Sequence, residues 1–193
     1  MKPLKLALAA AVAHSFVTMS AMAADTYEID ETHTAIVFLV DHLGYSNTIG
    51  RFNDFSGSFD FDPDNVENSK IDFVIDAASV DTNHGPRDDH LRSPDFLNVD
   101  EFPEITFTST SVEKTGDNTG KVTGDMTLLG TTKPVTLDIT LNKVAPNPRS
   151  GVMIAGFSAR GQLDRSDFGM TFGQGGIGDV LDLFIEVEGT VKE

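Results

Sequence analysis

Nearly the whole chain alternates apolar and polar residues with a period of two, and this alternation most narrows what it can fold into. The cleanest instance is Pro134–Lys143, where Val135, Leu137, Ile139 and Leu141 alternate with Thr136, Asp138, Thr140 and Asn142. Successive strand residues point to opposite faces, so such a segment buries one face and wets the other. The same pattern predicts strands at His33–Leu43, Arg51–Asp62, Lys70–Val80, Glu104–Glu113, Lys121–Leu129, Val152–Asp164 and Val180–Val191. Phe52 stands three residues before Phe55, out of register, which predicts a bulge or bend. Gly44–Gly50, Pro63-Asp64-Asn65, Gly116-Asp117-Asn118 and Ala145–Gly151 read as turns or loops. Eight or nine one-sided antiparallel strands must face a second sheet or curl into a barrel, and their length favours the barrel. The expected fold is therefore all-β, an antiparallel barrel of about eight strands. Its interior can just be filled by side chains, or can hold one small ligand.

One stretch breaks the pattern. Asn83–Phe107 opens on Gly85-Pro86, continues through a charged run with His84 and His90, and then delivers Leu91, Phe96, Leu97 and Phe102. Proline suits the first helical position, which predicts a short helix over Pro86–Arg92, with Asp88 and Arg92 one turn apart and able to pair. Ser93-Pro94 ends it, because a residue before proline is pushed out of the helical region. A helix-and-loop insertion in a closed barrel reads as a cap over one end, with Leu91, Phe96 and Phe102 underneath.

The first 23 residues have the form of an export signal. Lys2 and Lys5 precede a short apolar run over Leu6–Val17, and Ala21-Met22-Ala23 supplies the small-x-small cleavage pattern. Residues 24–193 then form a single domain, long enough for one sizeable core. With no cysteine in the chain, neither disulfides nor a lipidated cysteine can hold it. Removing the two leader lysines takes the formal charge from −16 to −18, a surface that repels nucleic acid and anionic membrane faces. The expected compartment is the bacterial periplasm. A membrane-spanning barrel is set aside, because two Tyr and no Trp cannot build aromatic girdles.

Several motifs imitate sites. His84, Asp88 and His90 offer metal-type ligands, but without a third histidine nearby the plainer reading is a capped, salt-bridged surface helix. Asp60-x-Asp62-x-Asp64 opens like a calcium loop, yet Asn65 and Ile71 stand where glycine and glutamate belong. Gly173–Gly178 matches a dinucleotide fingerprint but precedes a strand instead of opening a helix, and reads as a loop at the barrel mouth. No nucleophile elbow is present. The expectation is no catalysis, no metal and no cofactor.

Taken together, HTAIVFLVDHLG with GRFNDFSGSFDFD, then ASVDTN with RDDHLRSPDFLNVDEFPEITFTS, VTGDMTLLGTTKPVTLDI and RSDFG resemble the YceI-like family of exported bacterial proteins across nearly the whole mature chain. The resembling positions are His33, His42, Gly50, Phe52, Arg87, Asp88, His90, Leu91, Asp95, Phe96, Pro103, Phe107, Gly124, Gly130, Arg165 and Gly169. Two departures are Phe96-Leu97, where the family often has two phenylalanines, and Asp88-Asp89, where it usually has one aspartate. The resemblance implies a lipocalin-like barrel whose apolar pore binds a polyisoprenoid or other long-chain lipid, without catalysis. A charge of −18 would repel a pyrophosphate head unless Arg87 and Arg92 sit at the mouth, so the expected head is neutral, such as a quinone. The expected pore wall and cap are Phe38, Phe59, Phe73, Leu91, Phe96, Phe107, Ile139, Phe157 and Ile185, with Arg87, His90 and Arg92 as polar groups at the mouth. Fourteen Phe against no Trp suits a wall that needs bulk without a polar handle. The alternatives are a lipid-modifying enzyme and a metal-binding stress protein using His84, Asp88 and His90. A homodimer is compatible with this reading.

Overall fold

The computed structural model describes residues 24–192, so the leader and its cleavage site lie outside the described residues. In chain order the elements are β1 (Asp25–Ile29), β2 (Ala35–His42), β3 (Ser46–Phe52), β4 (Phe55–Phe61), β5 (Lys70–Asp76), β6 (Val80–Asp81), α1 (Gly85–Arg92), β7 (Glu104–Lys114), β8 (Thr119–Leu128), β9 (Thr131–Pro146), β10 (Met153–Asp164) and β11 (Ile177–Val191). Eight strands form a closed antiparallel ring in the order β1-β4-β5-β7-β8-β9-β10-β11, with β11 returning to β1. Closure is local: Tyr27, Glu28 and Ile29 pair with Val191, Thr190 and Gly189. The N-terminal part of β11 instead pairs with β2, from Ile177 opposite His42 to Glu186 opposite Ala35. The strands β2, β3 and β6 therefore form a flap that continues the sheet beyond the ring at one end.

The alternation places side chains as expected. On β9, Val135 and Leu137 are buried and Ile139 and Leu141 half-buried, while Thr136, Asp138, Thr140 and Asn142 face solvent. Polar residues cover the outside of the barrel, so apolar burial is internal. Among the described residues, no helix is long and apolar enough to cross a membrane.

Three boundaries differ from the sequence expectation. Arg51–Asp62 is two strands, β3 and β4, which do not pair with each other; the out-of-register Phe52 marks the corner, tied by Asn53 N–H to the Ser79 carbonyl (3.2 Å) and Asp76 N–H to the Asp54 carbonyl (2.9 Å). Gly44–Gly50 is not a turn throughout. The turn is confined to Leu43–Tyr45 and Ser46 starts β3. Only Arg51 and Phe52 of β3 find a second neighbour, in β6, so Ser46–Thr48 lie on an edge where polar residues are favoured and the period-two signal is lost. Lys70–Val80 breaks at Ala77–Ser79, a 3₁₀ turn capped by the Asp76 carboxylate accepting from Ala78 N–H (2.8 Å).

The core divides along the barrel axis. Ala77, Val80, Phe96, Leu97, Ile105, Leu128, Val135, Phe168 and Met170 are buried in one cluster at the α1 end. At the other end Tyr27, Phe59, Phe61 and Ala155 form a second cluster, with the Tyr27 and Phe59 rings stacked at 5.0 Å. Bulky rings are accommodated by glycines on other strands of the barrel. A Cβ on Gly124 would lie 2.4 Å from the Phe107 ring, and one on Gly189 would lie 2.5 Å from Phe59. A glycine inside a strand marks such a close approach.

Candidate functional site

Between the two clusters the barrel is hollow. A cavity of ≈ 190 Å³ is lined by Ile29 and Ile36, by Phe59, Phe61, Ile71, Phe73 and Ile75 of β4 and β5, by Phe107, Val112, Val122 and Met126 of β7 and β8, by Leu137, Ile139 and Leu141 of β9, and by Phe157, Ala159, Ile185 and Val187 of β10 and β11. None of these side chains is charged. An apolar space of about this size admits small hydrocarbons. Two of its ring pairs, Phe157 against Phe59 (5.5 Å) and against Phe61 (5.1 Å), meet edge to face, the arrangement aromatic pairs favour.

Polar residues gather at one end only. Asp60 near the end of β4, Ser69 from the β4–β5 connection, and Glu113, Lys114, Asp117, Asn118, Thr119 and Lys121 around the β7–β8 hairpin are the polar residues of the lining. The ladders place this end opposite α1. Asp76 and Glu104 pair at the α1 end, and the hairpin lies ten residues further along β7, at Lys114. At about 3.4 Å per residue, the two ends are on the order of 30 Å apart. The cavity therefore has a blind, wholly apolar end and a polar end.

Of the nine sequence-derived wall and cap positions, Phe59, Phe73, Phe107, Ile139, Phe157 and Ile185 line this cavity. Phe38, Leu91 and Phe96 do not; they belong to the cluster at the α1 end. Phe38 faces inward but sits one step beyond Ile36 towards α1, packed over Gly50 and 5.8 Å from Phe52. The insertion is thus a plug at the blind end. Phe102 is half-buried, its ring against Gly130.

The three residues expected at the mouth are at the plugged end as well, and each has structural partners. Arg87 donates to Thr82 Oγ1 (2.7 Å) and to the Thr82 carbonyl (2.8 Å). Arg92 donates to the carbonyls of Ala78 (2.7 Å) and Val80 (2.9 Å), which fastens α1 onto β6. His90 Nε2 lies 2.9 Å from Asp95, and its ring meets Phe96 and Phe172 edge-on. The expected Asp88–Arg92 pair does not form: Arg92 pairs with Asp89 (3.1 Å), and Asp88 is buried. Burial pushes the Asp88 carboxyl up, but the bonds it accepts from Thr82 Oγ1, Thr82 N–H and the backbone at His84 outweigh this and hold it below the usual carboxylate range.

His84, Asp88 and His90 are likewise separated in role, since His84 Nδ1 caps α1 by accepting from Arg87 N–H (3.3 Å). Among the described residues the metal-type groups that converge are Asp30, His33 and Glu188, with ligand atoms within 4.8 Å. There Asp30 accepts from Thr32 N–H (2.9 Å) and Thr32 Oγ1 (2.6 Å) and meets His33 Nδ1 at 2.7 Å. Those bonds pull Asp30 to about 2, and the Asp30 carboxylate holds His33 above its ordinary value. This locks the β1–β2 turn.

Two features of the structure were not legible in the residue pattern. Arg165 is fully buried and donates to the carbonyls of Met170 (2.8 Å), Phe172 (2.9 Å), Ile177 (3.3 Å) and Gly178 (2.8 Å), so the glycine-rich segment is a tied loop at the plugged end and not at the mouth. Ser69 Oγ is buried at the polar end without a hydrogen-bond partner in the protein. Only the packing of the β4–β5 connection reveals it.

Comparison with known proteins bears on this arrangement. The chain is 47% identical over 180 residues to Protein YceI of Salmonella arizonae, covering 92% of this chain and 93% of the relative. The YCEI protein of Campylobacter jejuni is 38% identical, with a TM-score of 0.70 over 79% of this chain and 90% of that one. A polyisoprenoid binding domain from Saccharophagus degradans, implicated in plant cell wall breakdown, shares the fold at 14% identity, with a TM-score of 0.67 over 86% of this chain and 98% of that one. The family model of the YceI-like domain matches residues 27–189. With a family model over most of its length, a relative at 47% identity and a closed antiparallel barrel, this chain belongs to the YceI-like domain family.

Proposed function

We propose that this protein is an exported carrier that holds the tail of one long-chain apolar lipid in its barrel and releases the lipid unaltered. The observation that carries this reading is the cavity: a blind, uncharged interior from Ile36 to Phe157 with polar groups at one end only. That polarity matches an amphiphile with a single tail, inserted tail-first towards the plug. Each buried CH₂ contributes about 0.8 kcal/mol, so tight binding needs few polar contacts. A cavity of ≈ 190 Å³ encloses the inner part of such a tail, the remainder running out past the β7–β8 hairpin. The polyisoprenoid-binding neighbour supports an isoprenoid tail, and the charged–apolar–small N-terminal segment supports export to the periplasm.

Mass spectrometry of the organic extract of purified protein tests the proposal. A co-purifying lipid with an apolar tail is expected, recovered chemically unchanged after incubation. An empty extract, together with no binding of added long-chain lipids, overturns it. Conversion of the lipid during incubation would assign an enzyme instead.

A further inference from the structure

The polar end of the cavity has its own chemistry, and we infer that it selects a neutral head group carrying a hydroxyl or carbonyl, with Ser69 as its hydrogen-bond partner. The inference rests on the lipid-carrier reading and specifies which lipids qualify. Ser69 lines the cavity, and among the described residues its Oγ is the buried side-chain polar atom without a partner. A buried hydroxyl left unpaired costs free energy, which a bonded ligand atom removes. The neighbouring hydroxyl of Ser109 differs, because it already accepts from Ile71 N–H at 2.8 Å. A ligand that offers an acceptor or a hydroxyl beside Ser69 therefore gains a bond that a pure hydrocarbon cannot make.

The charges around the opening decide against an anionic head. Among the lining residues three acids, Asp60, Glu113 and Asp117, stand against two cations, Lys114 and Lys121; Asp60 accepts from Thr26 Oγ1 and Lys121 is engaged by Asp138. The rim is thus formally negative, on a chain whose net charge is −16. Among the described residues no arginine lines the opening: Arg87 and Arg92, the guanidinium groups suited to gripping a phosphate in two-point fashion, are at the plugged end with other partners. A phosphate or pyrophosphate would meet repulsion and lose hydration with little in return. A neutral head loses little.

Three probes with the same C20 isoprenoid tail separate these effects: geranylgeraniol, its monophosphate and the parent hydrocarbon, each titrated onto delipidated protein at two salt concentrations. The alcohol is expected to bind at least tenfold more tightly than the phosphate, with little dependence on salt. Ser69→Ala should weaken the alcohol about 3- to 10-fold, the scale of one net hydrogen bond, and leave the hydrocarbon unchanged or slightly tighter. Ser69→Thr, which keeps the hydroxyl, should retain alcohol binding. A merely structural role for Ser69 would shift all three probes alike, which overturns the assignment. Tighter binding of the phosphate, or an alcohol affinity indifferent to Ser69→Ala, also overturns it while leaving the carrier reading intact. If none of the probes binds, the carrier reading falls first and the head-group inference falls with it.

Discussion

Asp88 and Asp89 differ by one position and by almost everything that sets energetic weight. Asp88 is buried and accepts from both the N–H and the hydroxyl of Thr82, whereas the Asp89 side chain is 81% exposed. Asp88→Ala leaves two buried donors unpaired and is expected to lower stability by about 2–3 kcal/mol. Asp89→Ala removes only a surface pair with Arg92 and should cost less than about 0.5 kcal/mol. Urea denaturation of the two variants measures the difference. The Asp30–His33 pair gives a second test at this scale. Because His33 is raised, its contribution is fully present below the unfolded histidine value and is lost as pH rises through the folded one. Because Asp30 is depressed to about 2, its contribution is fully present above the unfolded carboxylate value and is lost as pH falls from there through about 2. An NMR titration should show His33 titrating above the ordinary histidine value, and Asp30→Asn should bring it back.

At the level of elements, α1 and the loop after it define the blind end. Phe96 is 6% exposed and is packed in the main core cluster beneath α1 instead of lining the cavity. Phe96→Ala should therefore cost about 3–5 kcal/mol, as deletion of a core aromatic does, and appear as a lowered thermal midpoint. That differs from the simple lid suggested by the sequence, whose loss would loosen ligand retention first. Ile139, on the cavity wall and only half-buried, behaves in the opposite way. Ile139→Phe projects a ring into free volume, so stability should change by no more than about 1–2 kcal/mol while lipid capacity falls sharply. Parallel measurement of melting and of bound lipid distinguishes the plug from the wall.

For the whole molecule, the charge of −16 sets a background of self-repulsion. Ion pairs such as Arg51–Asp81 and Lys192–Glu28 lie at the surface and add little. Screening the excess acids should therefore raise the thermal midpoint between about 10 and 200 mM salt, since the Debye length falls from about 30 Å to below 10 Å over that range. A midpoint that falls with salt would show the ion pairs to dominate.

The residues alone did not determine β1 or the division between β3 and β4, but they determined most of the long strands, the short helix with Pro86 near its start, and the inward face of those strands. These follow from spacing along the chain, a local property that needs no partner: Val135, Leu137, Ile139 and Leu141 face inward whatever strands flank them. What the spacing does not contain is position along the barrel axis. Phe38 and Ile36 share one face of β2, yet one is in the plug and the other on the cavity wall. That distinction comes from ladders between distant segments, such as Tyr27 with Val191, and from where α1 docks. The same ladders carried Arg87, His90 and Arg92 away from the opening and brought Ser69 to it. Only the closed tertiary structure decides which end of the pore is open, because closure and register join residues more than a hundred positions apart.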